Sequence, residues 1–170
     1  EAAVARAMER FGGLDALIHF AAIHSTKTWD DVGADEFNRV MAVNVTGSHL
    51  MAQAAARPMI EAGKGAIVLT ASSIVYSGGV GGIGRGGPAY ASSKAAIIAL
   101  TRSYAKALGP HGIRVCAIAP GSTETAMTAN YSEEEWDNVR SRAVLGRPGQ
   151  PEDIAEAARF LISDKASYIT

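Results

Sequence analysis

Residues 65–72 have the sequence GAIVLTAS, a short run in which almost every side chain is small or apolar. A strand covered by helices on both faces is apolar on both of its sides, so this run predicts a buried strand of a parallel sheet. Two further runs of the same kind occur, at Leu14 to Phe20 and at Ile113 to Ala119. The chain is therefore expected to contain three parallel strands.

Helical patterns precede, separate and follow these strands. Small and apolar residues recur at helical spacing, and glycines stop the first two helices at Gly12 and Gly63. Strands that alternate with helices predict an α/β fold, with helices on both faces of the sheet and right-handed crossovers. The predicted helices are Ala2 to Phe11, Asp35 to about Glu61, Tyr90 to about Leu108, Glu133 to Arg142 and Pro151 to Ser163.

Composition limits the possible function classes. A chain of 170 residues is long enough for one domain or part of one. Its formal net charge of −1 gives no excess of positive charge that would bind nucleic acid or an anionic membrane. This balance favours a small uncharged substrate. The single cysteine, Cys116, lies in an apolar run, and no stretch has the length of a membrane span. We expect a cytoplasmic protein without nucleic-acid or membrane partners.

The pair Tyr90 and Lys94 carries the strongest functional signal. The two residues are four apart at the start of a predicted helix, so their side chains share one face. A cation beside a phenol favours the phenolate and lowers its pKa from about 10. Ser73, after the strand, offers a hydroxyl that can hydrogen-bond a carbonyl or alcohol oxygen. These three residues are predicted to be catalytic; the alternative is a packed tyrosine with a hydrated hydroxyl.

With these residues in place, the chain resembles the short-chain dehydrogenase/reductase family, of the 3-oxoacyl-carrier-protein reductase type. The matching segments occur in order along essentially the whole chain, and together they are highly specific. They are LDALI (14–18), MAVNVTG (41–47), IVLTASS (67–73), YASSKAA (90–96), IRV (113–115) with PG (120–121) and Thr125, GRP (146–148), PEDIA (151–155) and FLIS (160–163). The resemblance implies a Rossmann-like doubly wound parallel sheet.

The resemblance also implies a role for each matching residue. Tyr90 is implied to be the general acid/base, Ser73 to orient the substrate oxygen, and Lys94 to bind the nicotinamide ribose and lower the tyrosine pKa. Asn44 is implied to hold a water in the proton relay. The implied cofactor is NAD or NADP, and the implied contacts to it come from Asn44, Tyr90, Lys94, Pro120, Gly121 and Thr125.

Three departures from the family pattern stand out. The phosphate-binding loop, the strand that selects NAD or NADP, and the final strand have no counterpart, so residues 1–170 are expected to be the C-terminal part of a single Rossmann-fold domain. His19-Phe20-Ala21-Ala22 stands where the family has Asn-Asn-Ala-Gly. Ser73 lies four positions further from Tyr90 than is usual, with a glycine-rich loop between them.

Other motifs are given plainer interpretations. Residues 79–84 match Gly-x-Gly-x-x-Gly, but no helix follows directly, so a mobile substrate-side loop is predicted rather than a phosphate cradle. No metal site is predicted, because His19, His24, His49 and His111 lack ligand spacing. In the resemblance, residues 122–144 form a substrate lid. Its Met127, Tyr131 and Trp136 either line a substrate pocket or only cover the core.

The leading hypothesis is an NAD(P)-dependent oxidoreductase that interconverts an alcohol and a ketone. One alternative is an epimerase or dehydratase of the same fold that uses the tyrosine and lysine with bound NAD. Another is a non-catalytic truncated remnant that binds a partner through its long helices. Small-residue faces on helices 35–61 and 90–108, together with the resemblance, predict a homo-dimer or homo-tetramer.

Overall fold

The computed structural model describes residues 2–82 and 85–170, and within them one sheet is formed by three strands. These are β1 (Ala16–His19), β2 (Gly65–Thr70) and β3 (Ile113–Ile118). Both pairings are parallel in the order β1-β2-β3, with Ala16 opposite Ala66 and Gly65 opposite Ile113. The three predicted strands and the α/β class are confirmed. Each strand ends one or two residues earlier than predicted, and β1 also begins two residues later, at Ala16.

The helices follow the predicted order. The segment predicted as one helix over residues 35–61 is continuous but contains a π-helical turn, and α4 was not predicted. Gly63 ends α3 with a left-handed φ of 66°, a conformation that favours glycine. The helices are α1 (Ala2–Phe11), α2 (Ala34–Met41), the π-helical turn (Ala42–Thr46), α3 (Gly47–Ala62), α4 (Ile74–Ser77), α5 (Pro88–Leu108), α6 (Glu133–Arg142) and α7 (Pro151–Ile162), with 3-10 turns at Gly109–His111, Ala126–Thr128 and Asp164–Ala166.

The central strand β2 is covered on both faces. Side chains alternate along a strand, and Ile67 and Leu69 join the core that α3 and α5 cover. The alternate residues Ala66 and Val68 are also buried, and α7 packs against the same strand. This double coverage explains why β2 is apolar at consecutive positions.

The parallel pairing determines where polar side chains converge. All three strands run in one direction, so the loops after His19, Thr70 and Ile118 leave the sheet at the same edge. The Thr70 hydroxyl donates to the His19 carbonyl at 2.8 Å and ties the first two strand ends together. Ligand sites of open α/β sheets lie at this edge, so the fold places the candidate residues where such a site is expected.

Candidate active site

Tyr90 and Lys94 lie at the first turns of α5, directly beside the end of β2. Lys94 is only 3% exposed, and its Nζ donates to the Thr70 carbonyl at 2.8 Å. The same nitrogen lies over the Tyr90 ring, 5.6 Å from the centroid. Burial lowers the pKa of the Lys94 ammonium from 10.5 to about 8. The structure therefore brings the predicted pair together on one face of the helix.

The Tyr90 phenol is affected mainly by its own burial. Burial raises the pKa of Tyr90 above its ordinary value of 10, and the nearby Ser72 hydroxyl lowers it in part. This direction is opposite to the sequence-based prediction, in which the lysine lowers the pKa of the tyrosine. The physical reason is that loss of hydration disfavours the phenolate more than the surrounding groups favour it. Tyr90 is consequently a protonated phenol at neutral pH, which is the form that a general acid requires.

Ser72, not Ser73, lies next to the phenol. The Ser72 hydroxyl lies close enough to the Tyr90 phenol to lower its pKa, and it accepts from the Ile74 amide at 3.3 Å. Ser73 is exposed and begins the single turn of α4, while its amide donates to the Pro120 carbonyl at 2.9 Å. The helical conformation at Ser73 turns its side chain outward. Two adjacent serines are indistinguishable in the sequence, and only the position of this turn separates them.

The Asn44 side chain is fully buried and forms three hydrogen bonds to other segments of the chain. Its Oδ1 accepts from the Ile23 amide at 2.8 Å, and its Nδ2 donates to the Ile23 carbonyl at 3.0 Å and to Ser93 Oγ at 2.9 Å. Ser93 in turn donates to the Tyr90 carbonyl at 2.7 Å. Asn44 lies in the π-helical turn, a feature frequent at functional sites. The asparagine thereby joins the loop after β1 to the helix that carries Tyr90.

His24 is a neighbour of Tyr90 that the sequence interpretation did not assign to the site. Its imidazole contacts the Tyr90 ring edge-to-face, with centroids 4.6 Å apart and planes at 88°. Burial lowers its pKa, so the ring is neutral at neutral pH. The only sequence signal was its position a few residues after a buried strand, at the edge where ligand sites form.

The glycine-rich loop packs on the segment that carries His24. The Gly82 amide donates to the Thr26 carbonyl and the Gly87 amide to the Ser25 carbonyl, both at 2.8 Å. A Cβ on Gly86 would lie 2.7 Å from Cδ1 of Tyr90. The described part of the loop is thus held against the segment that carries His24 and against Tyr90. Residues 83 and 84 of the Gly-x-Gly-x-x-Gly match lie outside the described residues.

The loop after β3 places Pro120 and Gly121 beside the serines. The Pro120 carbonyl accepts the Ser73 amide, and Gly121 is exposed with no atom within 4 Å of the position of a Cβ. Thr125 is exposed and caps the 3-10 turn, where its Oγ1 accepts from the Met127 amide at 3.3 Å. These three predicted cofactor contacts therefore lie on an accessible loop at the same sheet edge.

The segment after this loop approaches the site through Tyr131. Tyr131 lies close enough to Tyr90 to raise the pKa of the Tyr90 phenol. The Trp136 ring packs on Tyr131 with centroids 5.1 Å apart, and Met127 is 48% exposed. Trp136 also lines a cleft of about 370 Å³ with Thr125 and Arg140. Of the three predicted pocket residues, Tyr131 is the one with an electrostatic contact to Tyr90.

His19 replaces the family asparagine with a buried imidazole. Its Nδ1 lies 3.2 Å from Ser48 Oγ, which donates to the Asn44 carbonyl at 2.6 Å. Burial and the charge of Lys94 lower the pKa of His19.

In the described part of the chain, no three His, Cys, Asp or Glu side chains converge as a metal site. Every helix among the described residues is too short or too polar to span a lipid bilayer.

Comparison with known proteins gives consistent matches. The family model described as enoyl-(acyl carrier protein) reductase matches residues 1–170. The chain is 41% identical over 162 residues to 3alpha-hydroxysteroid dehydrogenase of Mediterraneibacter gnavus, covering 95% of the chain and 63% of that protein. It is 39% identical over 158 residues to 3-oxoacyl-[acyl-carrier-protein] reductase FabG of Aquifex aeolicus, covering 93% of the chain and 62% of that protein.

A solved structure shows the same fold. The crystal structure of gox2181 superposes with a TM-score of 0.90 at 31% identity and covers 99% of the chain and 66% of that protein. The chain spans somewhat less than two thirds of the length of the two curated relatives named above. The family model covers the whole chain, and both curated relatives are more than 30% identical to it. The chain belongs to the short-chain dehydrogenase/reductase family.

Proposed function

We propose that this protein is an NAD(P)-dependent oxidoreductase that interconverts a small-molecule alcohol and ketone. The observation that carries the proposal is the convergence of Lys94, Tyr90 and a serine hydroxyl at the carboxyl end of β2. A protonated phenol, a neighbouring hydroxyl and a buried amine are the groups that carbonyl reduction needs for proton transfer. The names of the relatives, a dehydrogenase and a reductase, support the same reaction class.

In the proposed reduction, the substrate carbonyl oxygen accepts hydrogen bonds from Ser72 and Tyr90. The nicotinamide supplies the hydride to the carbonyl carbon when it is bound. Tyr90 donates its phenolic proton to the oxygen that becomes the alcohol. The resulting phenolate is stabilised by the Lys94 ammonium, and the reverse sequence of proton transfers serves alcohol oxidation. The sequence-based assignment of Ser73 is replaced in this proposal by Ser72, because Ser73 faces solvent.

The residues present fit the nicotinamide end of NAD or NADP. The Lys94 ammonium has three donors, and one of them is used by the Thr70 carbonyl among the described residues. The remaining donors are available for ribose hydroxyls. Gly121 leaves its backbone open to close approach, and the exposed Thr125 carries a hydroxyl on the same loop.

Asn44 is 1% exposed, so we propose that it positions α5 and the loop after β1 rather than contacting the cofactor directly.

The test uses protein expressed from the complete gene. Oxidation of NADH and NADPH is followed by absorbance with a panel of ketones, for the wild type and for Tyr90→Phe. The phenylalanine keeps the ring against His24 and removes the proton, so we expect kcat to fall by at least 100-fold. Tyr104→Phe is the matched control, because Tyr104 bonds His49 away from the site. A Tyr90→Phe variant with wild-type turnover would show that another group transfers the proton.

We further propose a homo-dimer or homo-tetramer formed through α3 and α5. Leu50 on α3 is 53% exposed, and α5 exposes a small-residue face with Ser92, Ala95 and Ala99 at helical spacing. Small side chains allow close helix packing, and exposed leucine favours burial against a partner. Light scattering of the protein from the complete gene tests this assembly, and a single monomeric species would contradict it.

A further inference from the structure

His24 is held in place by bonds on both sides of its backbone. On one side, Ile23 is paired through its amide and its carbonyl with the Asn44 side chain. On the other side, the Ser25 carbonyl accepts the Gly87 amide at 2.8 Å, and the Ser25 hydroxyl donates to Glu36 Oε1 at 2.5 Å. Because the backbone is held at both neighbouring residues, the Cα–Cβ bond of His24 has a defined direction.

The direction is toward the Tyr90 ring on the side of the glycine-rich loop. A Cβ on Gly86 would lie 3.2 Å from His24 Nε2, 2.7 Å from Cδ1 of Tyr90 and 2.6 Å from Cδ1 of Ile74. These three side chains therefore meet at the bare Cα of Gly86. Lys94 approaches Tyr90 from the strand end, where Nζ bonds the Thr70 carbonyl. The tyrosine thus has the amine as one neighbour and the imidazole as another.

The imidazole has hydrogen-bonding capacity that the described residues do not use. Within residues 2–82 and 85–170, neither ring nitrogen of His24 has a hydrogen-bond partner, whereas His19 pairs with Ser48 and His49 with Tyr104. A neutral imidazole offers one donor and one acceptor. Neither nitrogen is among the fully buried polar atoms of the described residues that lack a partner, so both are accessible to a ligand or to water.

We propose that His24 is a specificity-determining residue that hydrogen-bonds a second oxygen of the substrate, close along the carbon chain to the reacting carbonyl. The ring contacts Tyr90, so a ketone whose oxygen reaches the phenol places the atoms a few bonds away beside the imidazole. The substrate class is a hydroxy ketone or its diol, in preference to a simple alkyl ketone. This inference rests on the proposed function, because it assumes that the reacting oxygen meets Tyr90.

The test compares three matched ketones: 2-butanone, 3-hydroxy-2-butanone and 4-hydroxy-2-butanone. The wild type from the complete gene is expected to favour one hydroxy ketone over 2-butanone in kcat/KM. In His24→Phe that preference should fall about tenfold, or roughly 1.4 kcal/mol, because the ring remains and the nitrogens are lost. His24→Gln, which keeps a donor and an acceptor, should restore part of it. Equal losses for all three ketones, or no wild-type preference, would overturn the proposal.

A binding measurement separates this proposal from the reaction itself. In protein labelled with 15N-histidine, the ring signals of His24, assigned by their loss in His24→Phe, should shift on addition of the preferred hydroxy ketone and not of 2-butanone. No shift with either hydroxy ketone would overturn the role of His24, even where ketone turnover dependent on Tyr90 persists. A shift without turnover would instead count against the proposed function alone.

Discussion

The Nζ atom of Lys94 lies over the Tyr90 ring, 5.6 Å from its centroid, while it donates to the Thr70 carbonyl. The lysine is 3% exposed, and no carboxylate pairs with it among the described residues. Burial without a counter-ion disfavours the ammonium form, which is why the pKa of Lys94 falls to about 8. The positive charge of Lys94 beside Tyr90 therefore lowers the free energy of unfolding.

Lys94→Met is expected to stabilise the fold while it removes activity. At pH 7 the charged lysine is less favourable in the folded chain than in the unfolded one by up to about 3 kcal/mol, the equivalent of a pKa of about 8 against 10.5. Loss of the bond to Thr70 offsets about 1–2 kcal/mol of this gain. We expect the free energy of unfolding in urea to rise by roughly 1–2 kcal/mol, while kcat/KM falls at least 100-fold.

The same variant tests the pH dependence. Between pH 8 and 10.5 the unfolded lysine binds more protons than the folded one, so wild-type stability relative to Lys94→Met should increase with pH across this window. Below pH 8 the difference should be constant. Lys64→Met is the control, because Lys64 is exposed in a surface ion pair worth less than about 1 kcal/mol. A difference that stays constant from pH 7 to 11 would contradict the buried ammonium.

The adjacent serines provide a second prediction. Ser72→Ala removes the hydroxyl beside the Tyr90 phenol and should lower kcat/KM by about 100-fold, the usual effect of losing one donor to a reacting oxygen. Ser73→Ala removes an exposed hydroxyl and should change kcat/KM less than threefold. The two variants are matched in size and location. The reverse ranking would assign the substrate-orienting role to Ser73, as the family resemblance implies.

Gly86 offers a steric test of the site. In Gly86→Ala the new methyl group would overlap Tyr90 and Ile74, so the Tyr90 ring or the loop must shift. We expect a loss of about 1–3 kcal/mol in the free energy of unfolding, the usual cost of overpacking, together with at least a tenfold fall in kcat. Gly13→Ala is the control, since nothing lies within 4 Å of its Cβ position. If Gly86→Ala has wild-type kinetics, the loop accommodates the methyl group by moving itself, and Tyr90 keeps its position.

Asn44 should matter for stability as well as for activity. Asn44→Ala leaves the Ile23 amide and carbonyl and the Ser93 hydroxyl without this partner, and the expected destabilisation is roughly 2–4 kcal/mol. Faster amide hydrogen exchange at Ile23 would locate the effect in the loop that carries His24. Asn38→Ala, at an exposed position in α2, should change stability by less than about 0.5 kcal/mol. Unchanged exchange at Ile23 would show that other bonds hold the loop.

Local patterns are sufficient to predict the strands, the major helices and the pairing of Tyr90 with Lys94. Strands β1 to β3 were recognisable because burial on both faces requires consecutive apolar residues, and the major helices because one buried face imposes helical spacing. Tyr90 and Lys94 could be paired because residues four apart on one helix share a face. Each of these inferences needs only neighbouring residues in the chain.

Local spacing along the chain is therefore enough to predict the order of strands and helices and the Tyr90–Lys94 pair. The position of Ser72 rather than Ser73 beside the phenol depends on the fold, because the turn after β2 sets the direction of each side chain. The fold also decides that His24 contacts Tyr90 and that burial raises the pKa of the tyrosine. Contacts and desolvation depend on segments far apart in the chain, and no local spacing encodes them.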